Sequence, residues 1–523
     1  MSKITPVKLA LALALLGHAG VFFSFAPARG PDWTLYLGSA LELFRPVIRN
    51  PYILMDRNGF YPWLGWLFLH LPGQITSLVV FQHLLAVALT AWSTRIMQGW
   101  FDRLAGYLTA LVLGLCAPLL FIPQVTNSEA ACFISFWPLA CSGLALALDH
   151  HQGRRSPAWL WALFAFCSGL AFLARLSGLV LALGLMVGLW VWGLPRRRLL
   201  ASFLVLVVMA LGVMSFNYLR LGYFGIEYKA GRTLFAVLWQ EDKNILTSNG
   251  PHTRRLVYLL RRLWPGEAAH NPVIQRNRLH INQILDNPRE LPYHLYYLIV
   301  NLTRREMPYK EADRLLRQVA LEAFWVDPLA YLGRRWRKFL AAFAGRPPAE
   351  INFLPPRKAL QAEARFYAGE RRFSYRGVAE LYHMRGWSQS DEDVRGFLRD
   401  YERLTRRVWQ HPGWPAGRAF FHAWYRLLTP KYRYLYALAL IFLAGLALAP
   451  RRLAPRLPPR RAALVFGALF LACLGNWGFV YLISAGRVLH MLAGLPLEMI
   501  LVAGGIWTLV RLFTPLPAAR EEG

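Results

Sequence analysis

Long apolar runs separated by short polar turns dominate this chain. A bilayer core about 30 Å thick needs about 20 residues of apolar helix, and about ten runs approach that length. They lie at residues 8–26, 76–94, 105–122, 130–148, 158–174, 176–194, 199–218, 432–449, 462–483 and 491–512. Only Arg175 and Ser177 mark the turn between the fifth and sixth runs. The segment 219–431 has no apolar stretch long enough to span, and its pattern predicts helices instead. Within Met307–Gly345, Pro308 and Pro328 open two amphipathic stretches, and Gly345-Arg346-Pro347-Pro348 closes the second. In that second stretch Leu332, Trp336, Phe339, Leu340 and Phe343 share one face, while Arg334, Arg335, Arg337 and Lys338 mostly line another. Such a helix either lies on anionic lipid or presents a basic solvated face. The pattern thus predicts an all-α, polytopic integral membrane protein of about ten transmembrane helices. Its parts are a transmembrane module at 1–218, a mostly helical extracytoplasmic domain at 219–431, and C-terminal transmembrane helices at 432–523.

Basic residues in short connections set the orientation, because Lys and Arg resist translocation. Lys3, Lys8, Arg95, Arg103, Arg154, Arg155, Arg196 to Arg198, Arg451, Arg452, Arg456, Arg460, Arg461, Arg511 and Arg520 all fall on one side. The opposite short loops hold Arg175 and Arg487. Both termini are therefore expected in the cytoplasm, with 27–75 and 219–431 facing outward. Ala26-Pro27-Ala28-Arg29 makes a poor cleavage site, so the first run reads as a retained helix rather than a signal peptide.

Composition sharpens this picture. Hydrophobic residues make up 56% of the 523 positions, which excludes disorder and makes a soluble multidomain enzyme an odd owner. Five Cys, all in apolar runs, are too few for a disulfide scaffold, and no pair has metal-ligand spacing. The 59 Lys and Arg against 29 Asp and Glu would suggest nucleic acid in a soluble protein. Here the basic blocks flank hydrophobic spans without any aromatic-and-basic module, so lipid head groups are the expected anions and nucleic acid is not a partner.

Walker loop, dinucleotide glycine fingerprint, HExxH, CxxC and GxSxG patterns are all missing from the sequence. Chemistry is therefore sought in polar residues at the outward membrane ends. Helical spacing puts Asp32, Tyr36 and Ala40 on one face just beyond the first span. Asp32 is either a general base for a hydroxyl held at the membrane surface or an N-cap following Pro31. Glu129, at the outward end of the fourth span, needs a cationic or hydroxyl partner because a bare carboxylate near hydrocarbon is costly. Glu498, within the last span, belongs to no motif, and His150-His151 reads as a solvated cytoplasmic turn.

These residues carry a resemblance. Asp32-x-x-x-Tyr36-x-x-x-Ala40 after the first span, Tyr61-Pro62 opening a membrane-surface helix, and Thr126-Asn127-Ser128-Glu129 at the fourth span are similar to the GT-C superfamily. Its members include the protein O-mannosyltransferases and the aminoarabinose transferases that act on lipid A. The likeness extends to Gly169-Leu170-Ala171 through Arg175 to Gly178, to Glu311-Ala312-Asp313 through Tyr331, and to Gly486-Arg487-Val488-Leu489-His490. Order and position between spans carry it more than any one motif. Two departures stand out: Trp33 occupies the place where many members have a second acid, and Val488 follows Arg487 where the family often has Tyr.

The resemblance implies a membrane glycosyltransferase that uses a polyprenyl-phosphate-linked sugar and acts on a glycolipid, polysaccharide or protein hydroxyl. The implied setting is the outer face of a bacterial cytoplasmic (inner) membrane. Such chemistry needs a base for the acceptor proton, cations for the leaving phosphate, and an apolar groove for the polyprenyl chain. Asp32 is then the base, with Glu129 orienting the donor or pairing with Arg175. Arg175, Arg487 and His490 hold the donor phosphate, and Tyr36 and Tyr61 contact sugar or acceptor. With Trp33 beside Asp32 the ligand density is low, so no cofactor or metal is expected. Two other classes compete: a polysaccharide ligase or polymerase using a diphosphate lipid donor, and a non-catalytic lipid or polymer transporter, which would show broken spans with midplane charges.

The charge bias predicts that Cys introduced at Ser248 or Ser374 reacts with a membrane-impermeant thiol reagent in cells whose outer barrier has been opened. Labelling only after inner-membrane lysis contradicts that orientation.

Overall fold

The computed structural model describes residues 4–25, 33–46, 59–126, 128–226, 230–241, 247–270, 309–344, 414–429, 431–448, 459–482 and 495–513, with isolated positions between them. The first module runs α1 (Pro6–Ser24), α2 (Trp33–Glu42), α3 (Phe60–Leu69), α4 (Ile75–Trp100), α5 (Arg103–Leu115), α6 (Ala117–Phe121), α7 (Ser128–His151), α8 (Ala158–Ala174), α9 (Leu176–Val191) and α10 (Arg196–Leu221). Next come α11 (Ala230–Glu241), α12 (Pro251–His270), α13 (Tyr309–Val326), α14 (Pro328–Phe343) and α15 (Pro415–Leu428). The chain returns through α16 (Tyr432–Leu448), α17 (Pro459–Leu482) and α18 (Leu495–Phe513).

Helices lie over all ten apolar stretches. Among the described residues, five are long and apolar enough to cross a membrane alone: α1, α4, α7, α10 and α18. Two bent pairs, α5 with α6 and α15 with α16, pass that test together, while α8, α9 and Ala462–Gly475 of α17 are apolar but shorter. The protein is thus an all-helical, multi-pass membrane protein. α7 is the central element, packed against α4, α8 and α9. α18 packs on α5 and α17 on α9, so the C-terminal helices join the first module in one body. α10 shows the solvent this body requires. Leu199, Ser202, Leu206 and Ala210 are buried on one side, and Leu200, Leu204, Val208 and Leu211 form an exposed apolar stripe on another, a face that suits hydrocarbon and not water.

The basic turns share one end of this body. Asp102 caps α5 through the Ala105 N–H at 2.9 Å and also accepts from Trp507 Nε1 at 3.2 Å and Arg511 Nε at 3.1 Å. Gln152 donates to the Gly99 carbonyl at 3.4 Å, and Arg154 pairs with Asp149 at 3.0 Å. Glu129 and Arg175 lie at the far ends of α7 and α8.

The stretch at 105–122, expected as one helix, is broken. Cys116 is extended (ψ 99°), Pro118 supplies no N–H, and the chain bends by 57° between α5 and the segment Ala117–Gln124. Within hydrocarbon the carbonyls such a break frees must find internal donors, and Trp424 Nε1 of α15 donates to the Leu115 carbonyl at 3.0 Å.

Outside the membrane helices, α11, α12 and α13 enclose a small core of Phe235, Leu256, Leu260, Trp264, Leu316 and Val319. α13 pins the starts of its neighbours. Asp313 accepts the N–H groups of Gly231 and Arg232, each at 3.0 Å, and Glu322 accepts those of His252 at 3.0 Å and Thr253 at 2.8 Å. Asp327 caps α14 through the Ala330 N–H at 3.0 Å. The basic face expected on α14 needs correcting at one position. Arg335 turns inward and is fully buried, donating to the Tyr331 hydroxyl at 3.2 Å, while Leu332, Trp336 and Leu340 are exposed.

Burial alone would raise the Glu322 carboxyl, but the N–H of His252 and the hydroxyl and N–H of Thr253 outweigh it and hold it below the ordinary value. Its contribution is therefore complete above the unfolded value of about 4.3 and is lost as pH falls through the lower folded value. Glu322→Gln is expected to cost about 1–2 kcal/mol at pH 7 and to flatten the acid limb of stability, as read by thermal unfolding of the purified protein. Equal stability of variant and wild type at pH 7 contradicts the capping role.

Candidate active site

The site is built on a turn of one residue. Arg175 is extended (φ −165°, ψ 146°), ends α8 and starts α9; its N–H donates to Ala171 O at 3.2 Å, and the Gly178 N–H donates to Arg175 O at 2.8 Å. Gly178 is required here, because a Cβ would collide with the Ala171 carbonyl. Gly59, just before α3, faces the Leu173 carbonyl in the same way, which seats the start of α3 against this turn.

The turn directs Arg175 at α7. Its Nη2 donates to Glu129 Oε1 at 3.1 Å, with side-chain exposures of 16% and 6%. Glu129 sits in the first turn of α7, where the helix dipole also favours a negative charge. Tyr36 and Cys132 are neighbours of Arg175. Tyr36, on α2, meets Tyr61, on α3, edge to face at 5.7 Å. Thr126 Oγ1 and Ser177 Oγ, three residues before Glu129 and two after Arg175, are buried without a hydrogen-bond partner among the described residues. They are hydroxyls available to a polar ligand.

A buried polar network supports the site from below. The Tyr61 hydroxyl donates to Gln82 Oε1 at 2.9 Å, and Gln82 Nε2 donates to the carbonyls of Pro123 at 2.7 Å and Val125 at 3.3 Å, beyond the break. Next to it on α4, His83 Nε2 meets Gln124 Oε1 at 2.7 Å, and Gln124 Nε2 donates to Phe25 O at 2.6 Å. Since Oε1 accepts, His83 Nε2 carries the proton. A neutral His83 then accepts at Nδ1 from His18 Nδ1–H, 3.0 Å away.

Of the residues singled out in the sequence, Glu129, Arg175, Tyr36 and Tyr61 are brought together. Asp32, Arg487 and His490 lie outside the described residues. Glu498 is buried and accepts from the Tyr436 hydroxyl at 3.0 Å. His18, Gln82, His83, Gln124 and the buried Glu42 were not singled out. The signal available was a Gln-His pair inside an apolar run. Among the described residues no three His, Cys, Asp or Glu side chains form a group that could hold a metal.

Fold and site define a multi-pass helical membrane protein with a buried charge pair at one membrane end. Residues 56–218 match the model of the dolichyl-phosphate-mannose-protein mannosyltransferase family. Solved structures of ArnT from Cupriavidus metallidurans, bound to undecaprenyl phosphate and in the apo state, are similar at 17% and 16% identity, with TM-scores of 0.33 and 0.32. Each comparison covers 96% of this chain and 77% of the other. No curated relative matches.

Removing one partner of a buried ion pair leaves a charge in low dielectric and costs about 3–5 kcal/mol, whereas removing both costs less. Arg175→Ala is therefore expected to lower the thermal stability of the purified protein more than Arg175→Ala combined with Glu129→Gln. Strictly additive losses contradict the coupling.

Proposed function

We propose that the protein is a glycosyltransferase that moves a sugar from a polyprenyl-phosphate donor to an acceptor hydroxyl at the outer face of a bacterial cytoplasmic membrane. The observation that carries this reading is the buried Glu129–Arg175 pair beside Tyr36 and Tyr61, at the membrane end opposite the basic turns. The pair lies within residues 56–218, the part similar to a family described by a lipid-phosphate-bound mannose donor and a protein acceptor. Both termini are then cytoplasmic, and the acceptor is a glycolipid, polysaccharide or protein.

In the proposed step the acceptor oxygen attacks the anomeric carbon, and the bond from that carbon to the phosphate oxygen breaks. Its electron pair stays on the departing polyprenyl phosphate. Asp32 takes the acceptor proton, so one displacement inverts the anomeric centre. Charge develops on the phosphate, and Arg175, with Arg487 and His490, receives it; a guanidinium suits phosphate oxygens because it offers two parallel donors. Glu129 holds Arg175 in place before the donor arrives and faces the donor sugar. Tyr36 and Tyr61 form the aromatic wall on the sugar and acceptor side, and the step uses no metal.

Asp32→Asn keeps size and capping ability but removes the base. The variant should insert and bind donor normally while turnover falls on the order of a hundredfold or more. If Asp32 is only a helix cap, Asn serves as well and the change is nearly silent. Initial rates of sugar transfer by purified wild type and variant, at matched thermal stability, separate the two. Near-equal rates remove Asp32 from catalysis and pass the base role to Glu129.

A further inference from the structure

A pocket lies at the end of the membrane body away from Glu129 and Arg175, on the side of the basic turns. About 510 Å³ in volume, it opens between the first turns of α8 and α10. Its mouth carries Arg155, Ser156 and Arg198, and no carboxylate is among its lining residues. Arg198 lies over the Trp161 ring, 5.4 Å from its centroid. Pro157, the N-cap of α8, offers no side-chain cap, so the first N–H groups of that helix point their dipole end toward the same opening. Trp161 lines the pocket, is 9% exposed, and its indole nitrogen has no hydrogen-bond partner among the described residues. A buried donor of that kind is costly unless something accepts from it.

Below the mouth the chemistry changes. Ala162 and Ala165 on α8 and Ala201, Ser202 and Val205 on α10 line the rest, so the pocket continues as a mostly apolar groove. From Ala158 to Ala165 it runs about 10 Å along the helix. A free phosphate would use only the mouth. An acyl chain with a negatively charged head would use both parts, because two cations and a helix start meet the head while small side chains leave room for the chain.

We propose that this pocket binds an anionic phospholipid of the leaflet on the basic side, with its phosphate between Arg155 and Arg198 and one acyl chain between α8 and α10. The occupant is a lipid rather than the sugar donor, since the pocket lies at the membrane end away from Glu129 and Arg175. It would tie α8 to α10 at the base of the helix whose other end carries Arg175.

The test uses the full-length protein, stripped of lipid in detergent and mixed with phosphatidylglycerol or phosphatidylethanolamine of matched chains, with bound lipid counted by native mass spectrometry. Wild type should retain one phosphatidylglycerol with a preference of about thirtyfold, the worth of two basic side chains near a lipid surface. Arg155→Ala with Arg198→Ala should abolish the preference, and Ala162→Trp, which fills the groove without touching charge, should lose both lipids. Arg154→Ala, whose arginine is exposed and pairs with Asp149, should leave binding intact. Unchanged preference in the double arginine variant, or undiminished lipid in Ala162→Trp, overturns the proposal. Displacement of the lipid by millimolar inorganic phosphate alone also overturns it, in favour of a free-anion site.

Discussion

Hydrocarbon offers no hydrogen bonds, so most polar groups inside the membrane body are answered by the protein itself, the Thr126 and Ser177 hydroxyls and the Trp161 indole being exceptions among the described residues. The structure's polar features follow from that constraint. The break at Cys116 leaves the Leu115 carbonyl to Trp424, and Gln82 donates to the carbonyls of Pro123 and Val125 at the end of the bent segment. Gln124, in the turn after the break, is held in turn by His83 and by the Phe25 carbonyl. Glu129 meets Arg175, and Glu498 meets Tyr436. At the basic end Asp102 gathers a helix start, an indole and a guanidinium.

The same constraint shapes the candidate site. The backbone of Arg175 closes a turn of one residue, and Gly178 packs against Ala171. Tyr61 is held through Gln82, so the orientation of α3 depends on the network that holds the segment after the break. In the proposed reaction the donor phosphate meets a guanidinium already paired with Glu129. Preorganisation of this kind favours a charge that develops during reaction, since little reorganisation remains to be done.

Much of this was legible in the residues, for a physical reason. Apolar runs announce membrane helices because length and hydropathy are properties of one segment, and helices stand over all ten stretches. Pro308 and Pro328 likewise marked the starts of α13 and α14 closely, since proline acts locally. Glu129 demanded a cation by its position alone, and Arg175 was the nearest one on its side. What stayed hidden depends on contacts across the chain. The break near Cys116 shows in sequence only as Pro118 within an apolar run, and the bond from Trp424 to the Leu115 carbonyl requires knowing that α15 passes beside it. The inward turn of Arg335 depends on Tyr331 one helical turn away and on what covers α14, so periodicity alone placed it on the basic face. His18 and His83 are 65 positions apart, and neither has a motif.

The central claim is the nature of the donor: a sugar carried on a single lipid phosphate. The most direct measurement is mass spectrometry of lipid-linked sugars in cells from which the protein has been deleted, compared with cells in which it is restored. The account predicts that one polyprenyl monophosphate sugar accumulates on deletion, that the same sugar disappears from an envelope acceptor, and that restoration reverses both. Accumulation of a diphosphate-linked oligosaccharide, or an unchanged pool of lipid-linked sugars, would contradict it.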